Sequence, residues 1–208
     1  MFKNLLVCSA ISSSFLISPI SKADQDNQGI YFTAGLGTGL ETEHDGSVSD
    51  GFDTKDDTLD FSAKGRTTFD AGIGMGYDLG NMRIETKVSR NTYDINNVKY
   101  EDGDKGDNKS DTSTGLSFGL AYDFENDSQF TPFVGAAYSL GWDEDSDDVA
   151  TGYILELGIS TPMSEKIEFF SALSLGITSE QSKDIEDNKY EIDGFSQWGF
   201  NTGLRIKI

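Results

Sequence analysis

The chain has 208 residues, a formal charge of −20, 12 % aromatic residues and one cysteine. That length fits one domain once an export leader is set aside, and so acidic a chain will not hold nucleic acid by neutralising phosphates. The aromatic content and the ordered apolar spacing exclude a disordered acidic tail.

Residues 1–23 read as a secretory signal peptide. Lys3 supplies the basic start, Leu5 to Ile20 the apolar run, and Ser21-Lys22-Ala23 a small-x-small cleavage site. The run is too short, and too diluted by Ser9 and Ser12 to Ser14, for a transmembrane helix. Cys8 lies inside it, preceded by Val7 where a lipoprotein anchor would need a small residue. Cleavage after Ala23 leaves a barrel domain over 24–208, without cysteine or disulfides. Losing Lys3 and Lys22 moves the charge from −20 to −22.

Eight segments then alternate at period two, the strand signature. In GIYFTAGLGTGL, Ile30, Phe32, Ala34 and Leu36 alternate with Tyr31, Thr33, Gly35 and Gly37. In TFDAGIGMGYDL, Phe69, Ile73, Met75 and Tyr77 oppose Asp70, Gly72, Gly74, Gly76 and Asp78. MRIETKVSRNTY sets Met82, Ile84 and Val88 against Arg83, Glu85 and Lys87. TGLSFGLAYDF sets Leu116, Phe118, Leu120, Tyr122 and Phe124 against Ser117, Gly119, Ala121 and Asp123. The fifth runs from Pro132 to Trp142, with Val134, Ala136, Tyr138 and Leu140 on one face. The sixth opposes Tyr153, Leu155, Leu157 and Ile159 to Glu156, Gly158 and Ser160. The seventh opposes Ile167, Phe169, Leu173, Leu175 and Ile177 to Glu168, Ala172, Ser174 and Gly176. The eighth closes the chain, with Trp198, Phe200, Thr202, Leu204, Ile206 and Ile208 opposite Gln197, Gly199, Asn201, Gly203, Arg205 and Lys207.

The connections alternate as well. Short ones are Gly80-Asn81, a two-residue hairpin signal of the primed type, then Asn126 to Gln129 and Pro162 to Lys166. Long links are expected over 41–66, 94–112, 143–150 and 180–193. These four stretches hold 25 of the 36 acidic residues, so the negative charge gathers at one end of the strands.

One face of every strand is bulky and apolar; the other is mainly Gly, Ala, Ser and Thr with scattered charges. Glycine weakens a solvated strand and has nothing to pack there. Inside a narrow barrel, small residues make room for a few long charged ones, and the apolar face meets lipid. Strands of about 9–11 residues suit a membrane crossing, and backbone groups in lipid require a closed sheet. The pattern therefore predicts an all-β fold: an eight-stranded antiparallel transmembrane β-barrel with short turns on the periplasmic side and long acidic extracellular loops. Tyr77, Tyr122, Phe124, Trp142 and Trp198 are placed for interfacial girdles. A secreted soluble barrel of lipocalin type is the competing reading, and glycine on its solvated face counts against it.

The last strand ends in register and can close against Ile30 to Leu40. Its Asn201, Gly203, Ile206 and Ile208 also resemble the C-terminal signal read by the outer-membrane assembly machinery, with isoleucine at the terminal aromatic position. From GIYFTAGLGTGL through TPFVGAAYSLGW to GLRIKI, the chain resembles the small eight-stranded outer-membrane β-barrels of the OmpA/OmpX and opacity-protein type. The resemblance implies residence in the outer membrane of a Gram-negative-type bacterium, among its lipid and lipopolysaccharide. It carries architecture rather than activity.

The inward charges are the one internal constellation. Asp70, Asp78, Glu85, Asp123, Glu156 and Glu168 face Arg83, Lys87, Arg205 and Lys207. The Gly80-Asn81 hairpin pairs Asp78 with Arg83, and Glu168 lies beside Arg205 and Lys207. Two readings stay open: a structural plug that fills the lumen, and a small-solute or gated narrow pore. The carboxylate-rich stretches at 101–111 and 143–148 suit weak divalent-cation binding, or simply a solvated surface. His44, the single histidine, has only Asp45 and Ser47 as sequence neighbours, and no catalytic geometry follows. GLGTG and GIGMG are strand interiors rather than phosphate loops. No enzyme activity and no cofactor are expected; the role expected is structural or surface-interacting.

Overall fold

A computed structural model describes residues 28–50, 58–100, 109–124, 126–143, 149–179, 181–185 and 188–208. The signal-peptide segment and the acidic stretches 101–108 and 144–148 lie outside these residues. Eleven strands follow one another: β1 Gly29–Gly39, β2 Thr42–Asp50, β3 Thr58–Asp78, β4 Met82–Tyr100, β5 Lys109–Asp123 and β6 Thr131–Asp143. After these come β7 Val149–Pro162, β8 Ile167–Thr178, β9 Gln181–Ile185, β10 Asn188–Ile192 and β11 Phe195–Lys207.

Eight of the strands close a barrel. All neighbours are antiparallel, in the order β1-β11-β8-β7-β6-β5-β4-β3, and β3 returns to β1. The final strand seals the wall against the first, from Tyr31 opposite Lys207 to Gly39 opposite Gly199. Closure satisfies the backbone of every barrel strand on both sides, as lipid demands.

Alternation assigns the faces as the sequence predicts. Ile30, Phe32, Leu36, Ile73, Leu120, Leu157 and Ile206 all point outward, and Ile73 is 70 % exposed. An apolar belt of this extent belongs against lipid, since soluble monomers do not present one to water. The girdle aromatics also face out. Tyr122 and Phe124 meet edge to face at 5.3 Å on the short-turn end, while Trp142 and Trp198 lie toward the other end. At the short-turn end, Gly80 takes a φ of 105°. The first central position of a primed hairpin turn needs such a value.

The long links are where the structure departs from expectation. Stretches 41–66, 94–112 and 180–193 are largely strand: β2, the first third of β3, the end of β4, the start of β5, and the β9–β10 hairpin. The upper parts of β4 and β3 continue through β2 and β10 to β9, forming an open, five-stranded crown above part of the barrel rim. The sequence of these stretches carries no sustained apolar alternation that would announce strands. A register shift between Thr67 and Phe69 marks where β3 leaves the barrel. Above it Phe61, Ala63 and Gly65 turn inward; below it the inward residues are Asp70 and Gly72. A bulge of this kind inserts one residue and reverses the parity.

Candidate functional site

The barrel interior is the site that the fold builds. Its inward positions hold all ten charged residues expected there. Asp70, Asp78, Arg83, Glu85, Lys87, Asp123, Glu156, Glu168 and Arg205 are buried, and Lys207 is half-buried at the turn end.

Toward the turn end, Arg83 of β4 makes a two-pronged ion pair with Asp123 of β5. Its Nε donates to Oδ2 at 2.8 Å and its Nη2 to Oδ1 at 2.5 Å. The Phe133 ring of β6 lies 5.7 Å from the same guanidinium. The strand pairing expected across the hairpin is present and both residues face inward, but the hydrogen-bonded ion pair of Arg83 is with Asp123 and not with Asp78. Asp78 is opposite Arg83 in register, yet its Oδ1 accepts the Gly80 N–H at 2.8 Å. The tight turn offers a backbone donor two residues away, while the guanidinium fork matches the neighbouring carboxylate in plane.

A second unit gathers on the opposite wall. Arg205 of β11 donates from Nη1 to Glu168 Oε2 of β8 at 3.1 Å, the pairing that strand order predicts. The Ser160 hydroxyl of β7 donates to the other Glu168 oxygen. Arg205 is also held between two rings, 5.0 Å from Tyr31 and 5.4 Å from Phe170. Higher up, Lys87 Nζ lies 3.6 Å from Asp70 Oδ2. Glu85 and Glu156 are 2 % and 4 % exposed; the Tyr31 hydroxyl lies beside the Glu85 carboxylate, and among the described residues none makes a hydrogen bond of ordinary length to either carboxylate.

Three interior aromatics complete this layer. The sequence placed Tyr31 on the small-residue face, but the lumen-filling role of Tyr31, Phe133 and Phe170 emerges only in three dimensions. Each ring lies over a glycine: Tyr31 over Gly76, Phe133 over Gly158, Phe170 over Gly203. A Cβ at any of the three would collide with the ring. The signal was present as a glycine-rich inward face, which makes room for long side chains without saying which.

The interior toward the opposite mouth has different chemistry. Phe61, Ala63, Tyr93, Ala150 and Phe195 are buried there, two of them supplied by the upper part of β3. Beneath them the Thr67 hydroxyl donates to Gln197 Oε1 at 3.1 Å, and Gln197 Nε2 donates to the Leu40 carbonyl at 2.9 Å. An ionic layer is thus overlaid by a polar one and then an aromatic one.

The four terminal residues singled out in β11 divide by face. Asn201 points inward and donates to the Ser174 hydroxyl at 3.1 Å; Gly203 lies under Phe170. Ile206 and Ile208 point out, and the Ile208 N–H donates to the Ile30 carbonyl at 3.2 Å. His44 lies on β2 opposite Ala63. Among the described residues, no group of three His, Cys, Asp or Glu side chains is arranged to hold a metal.

Solved structures place this architecture. The chain is similar to the outer membrane protein OprG from Pseudomonas aeruginosa, with a TM-score of 0.59 and 17 % identity, over 86 % of this chain and 95 % of that one. It is similar to Neisserial surface protein A, with a TM-score of 0.52 and 18 % identity, over 86 % and 97 % of the two chains. The outer membrane protein AlkL, solved in lipid bilayers, gives a TM-score of 0.52 and 11 % identity, over 94 % and 97 %. No family model and no curated protein matches the sequence. The fold is that of the small eight-stranded outer-membrane β-barrels.

Proposed function

We propose that the chain is an integral outer-membrane protein with a structural or surface-interaction role, its strand-built acidic crown displayed outside the cell. The observation that carries this reading is the filled lumen. Arg83, Arg205, Lys87, Tyr31, Phe133 and Phe170 are all buried to below 2 % exposure within it, and Phe61, Tyr93 and Phe195 are buried toward the mouth above them. Eight strands leave an interior just wide enough for side chains, and these side chains occupy it.

Other features support the display reading. The turns 79–81, 124–130 and 163–166 are short, whereas the opposite end carries the crown and the acidic stretches. Contacts to lipopolysaccharide, divalent cations or other cells belong to that end in this proposal. The terminal Asn201, Gly203, Ile206 and Ile208 serve as the signal for the assembly machinery.

The competing reading is a small-solute pore, with the ionic layer as its gate. Planar-bilayer conductance of the refolded protein separates the two: the filled lumen predicts no resolved single-channel steps. In parallel, cysteines introduced at Glu43 and Asp60 should react with an impermeant maleimide on intact cells, and one at Asn81 should not. Regular conductance steps, or the reverse labelling, would sink the proposal.

A further inference from the structure

The wall changes character along one line where the barrel meets the crown. Three strand pairs of the barrel carry on into the crown without change of register. The pairing that sets Gly39 opposite Gly199 sets Gly46 opposite Ile192 further up. Gly37 opposite Asp70 leads to Thr42 opposite Gly65, and Phe195 opposite Thr178 leads to Ile192 opposite Gln181. Between those positions each ladder lapses. β1 gives way to β2 at 40–41, β11 to β10 at 193–194 and β8 to β9 at 179–180, and the β3 bulge between Thr67 and Phe69 falls on the same line. The widest lapse separates β2 from β11. The Leu40 N–H donates to the Trp198 carbonyl at 2.7 Å and the Asp193 N–H to the Asp45 carbonyl at 3.1 Å. Among the described residues no backbone pair joins the two strands between these bonds.

Side chains bridge the line instead. Gln197, buried at 1 % exposure, donates from Nε2 to the Leu40 carbonyl at 2.9 Å and accepts the Thr67 hydroxyl at 3.1 Å. The Thr38 hydroxyl donates to the Thr67 carbonyl at 3.2 Å, and the Thr42 hydroxyl to the Ser196 carbonyl at 2.9 Å. Gln197 packs on Gly39, where an added Cβ would come within 3.0 Å of its amide. An unbroken ladder opens only as a cooperative unit, whereas a row of single side-chain bonds at strand ends has the form of a hinge. Phe61 and Ala63 are buried on the crown side of the line, and Phe195 is buried on it.

We propose that the crown is a hinged lid, pivoting on the barrel along this line with Gln197 as its latch. β4 crosses the line unbroken from Met82 to Tyr100, so the pivot lies on the β4 side and the β9–β10 hairpin swings furthest. Opening breaks the bonds of Gln197 and Thr42 and leaves the barrel ladders whole. The ionic layer beneath stays in place, so the movement uncovers a surface rather than a channel. Beyond display, the outer end of the protein then has two states, one with Phe61 and Phe195 covered and one with them accessible to a partner.

The test uses the refolded full-length chain with Cys8→Ser, which leaves no cysteine. One nitroxide pair, on Asp60→Cys and Leu157→Cys, spans crown and barrel; a second, on Ile73→Cys and Leu157→Cys, stays within the barrel. Asp60 and Ile73 lie on β3 to either side of the bulge, and all three positions are exposed. Double electron–electron resonance should give one narrow distance for the barrel pair. The crown pair should give a main distance and a minor, longer one. Gln197→Ala should raise the minor share about fivefold, as the loss of one hydrogen bond allows, with the barrel pair unaltered. Equal widths for the two pairs in both proteins, or broadening of both pairs in Gln197→Ala, overturns the hinge. Should Gln197→Ala fail to refold, Thr42→Val removes the bond to Ser196 at a half-buried position and should raise the same minor share; an unchanged share overturns the hinge as well.

Discussion

Asp123→Ala removes the carboxylate to which Arg83 is committed. Arg83 is wholly buried and Asp123 is 1 % exposed, so water does not take the lost partner's place at the surface. Two donated bonds vanish, from Nε and Nη2, while Nη1 already has no acceptor among the described residues. Stripping one partner from a buried ion pair costs about 3–5 kcal/mol. The Phe133 ring offsets part of that, since a desolvated cation over an aromatic face gains up to about 2 kcal/mol. A net loss of about 3 kcal/mol is therefore expected. Asp78→Ala loses a carboxylate bond to one backbone N–H and should cost about 1–2 kcal/mol. Urea unfolding of vesicle-inserted protein, followed through Trp142 and Trp198 fluorescence, gives both values. A double-mutant cycle with Arg83→Ala then measures the coupling. Asp123 should couple to Arg83 by at least about 2 kcal/mol and Asp78 by less than about 1. If Asp78 couples more strongly than Asp123, the assignment of Arg83's partner is wrong.

Two further outcomes follow from the packing and the chain's last strand. Gly158→Ala drives a Cβ into the Phe133 ring and the Ser171 carbonyl, whereas Gly29→Ala meets nothing; the first should cost about 1–3 kcal/mol and the second less than about 0.5, read by the same unfolding assay. Ile208→Lys sits at the interface with its side chain 72 % exposed, so refolding in detergent should be unchanged while outer-membrane yield falls. Ile206→Lys, deeper in the belt, should lower both, by up to about 2 kcal/mol in stability. Wild-type yield for Ile208→Lys would show the ending to be ordinary strand rather than an assembly signal.

Much of this was legible from residue order alone, because a strand's side chains alternate by two and lipid reverses the usual preference of a core. That rule was enough to send Ile73 out and Glu85 in, and to pair Glu168 with Arg205 once β8 and β11 were read as neighbours. It also allowed the last strand to close on the first. The partner of Arg83 needed the folded barrel. Register names the residue across the ladder, but a long guanidinium in a curved wall chooses among carboxylates on several strands, and the Gly80 turn had already claimed Asp78. The crown was hidden for another reason. Its stretches show no sustained apolar alternation in sequence, and backbone pairing leaves no mark in composition. The ring-over-glycine contacts likewise belong to tertiary structure. An inward glycine declares only that space is left, and which neighbour fills it depends on strands far away in the chain.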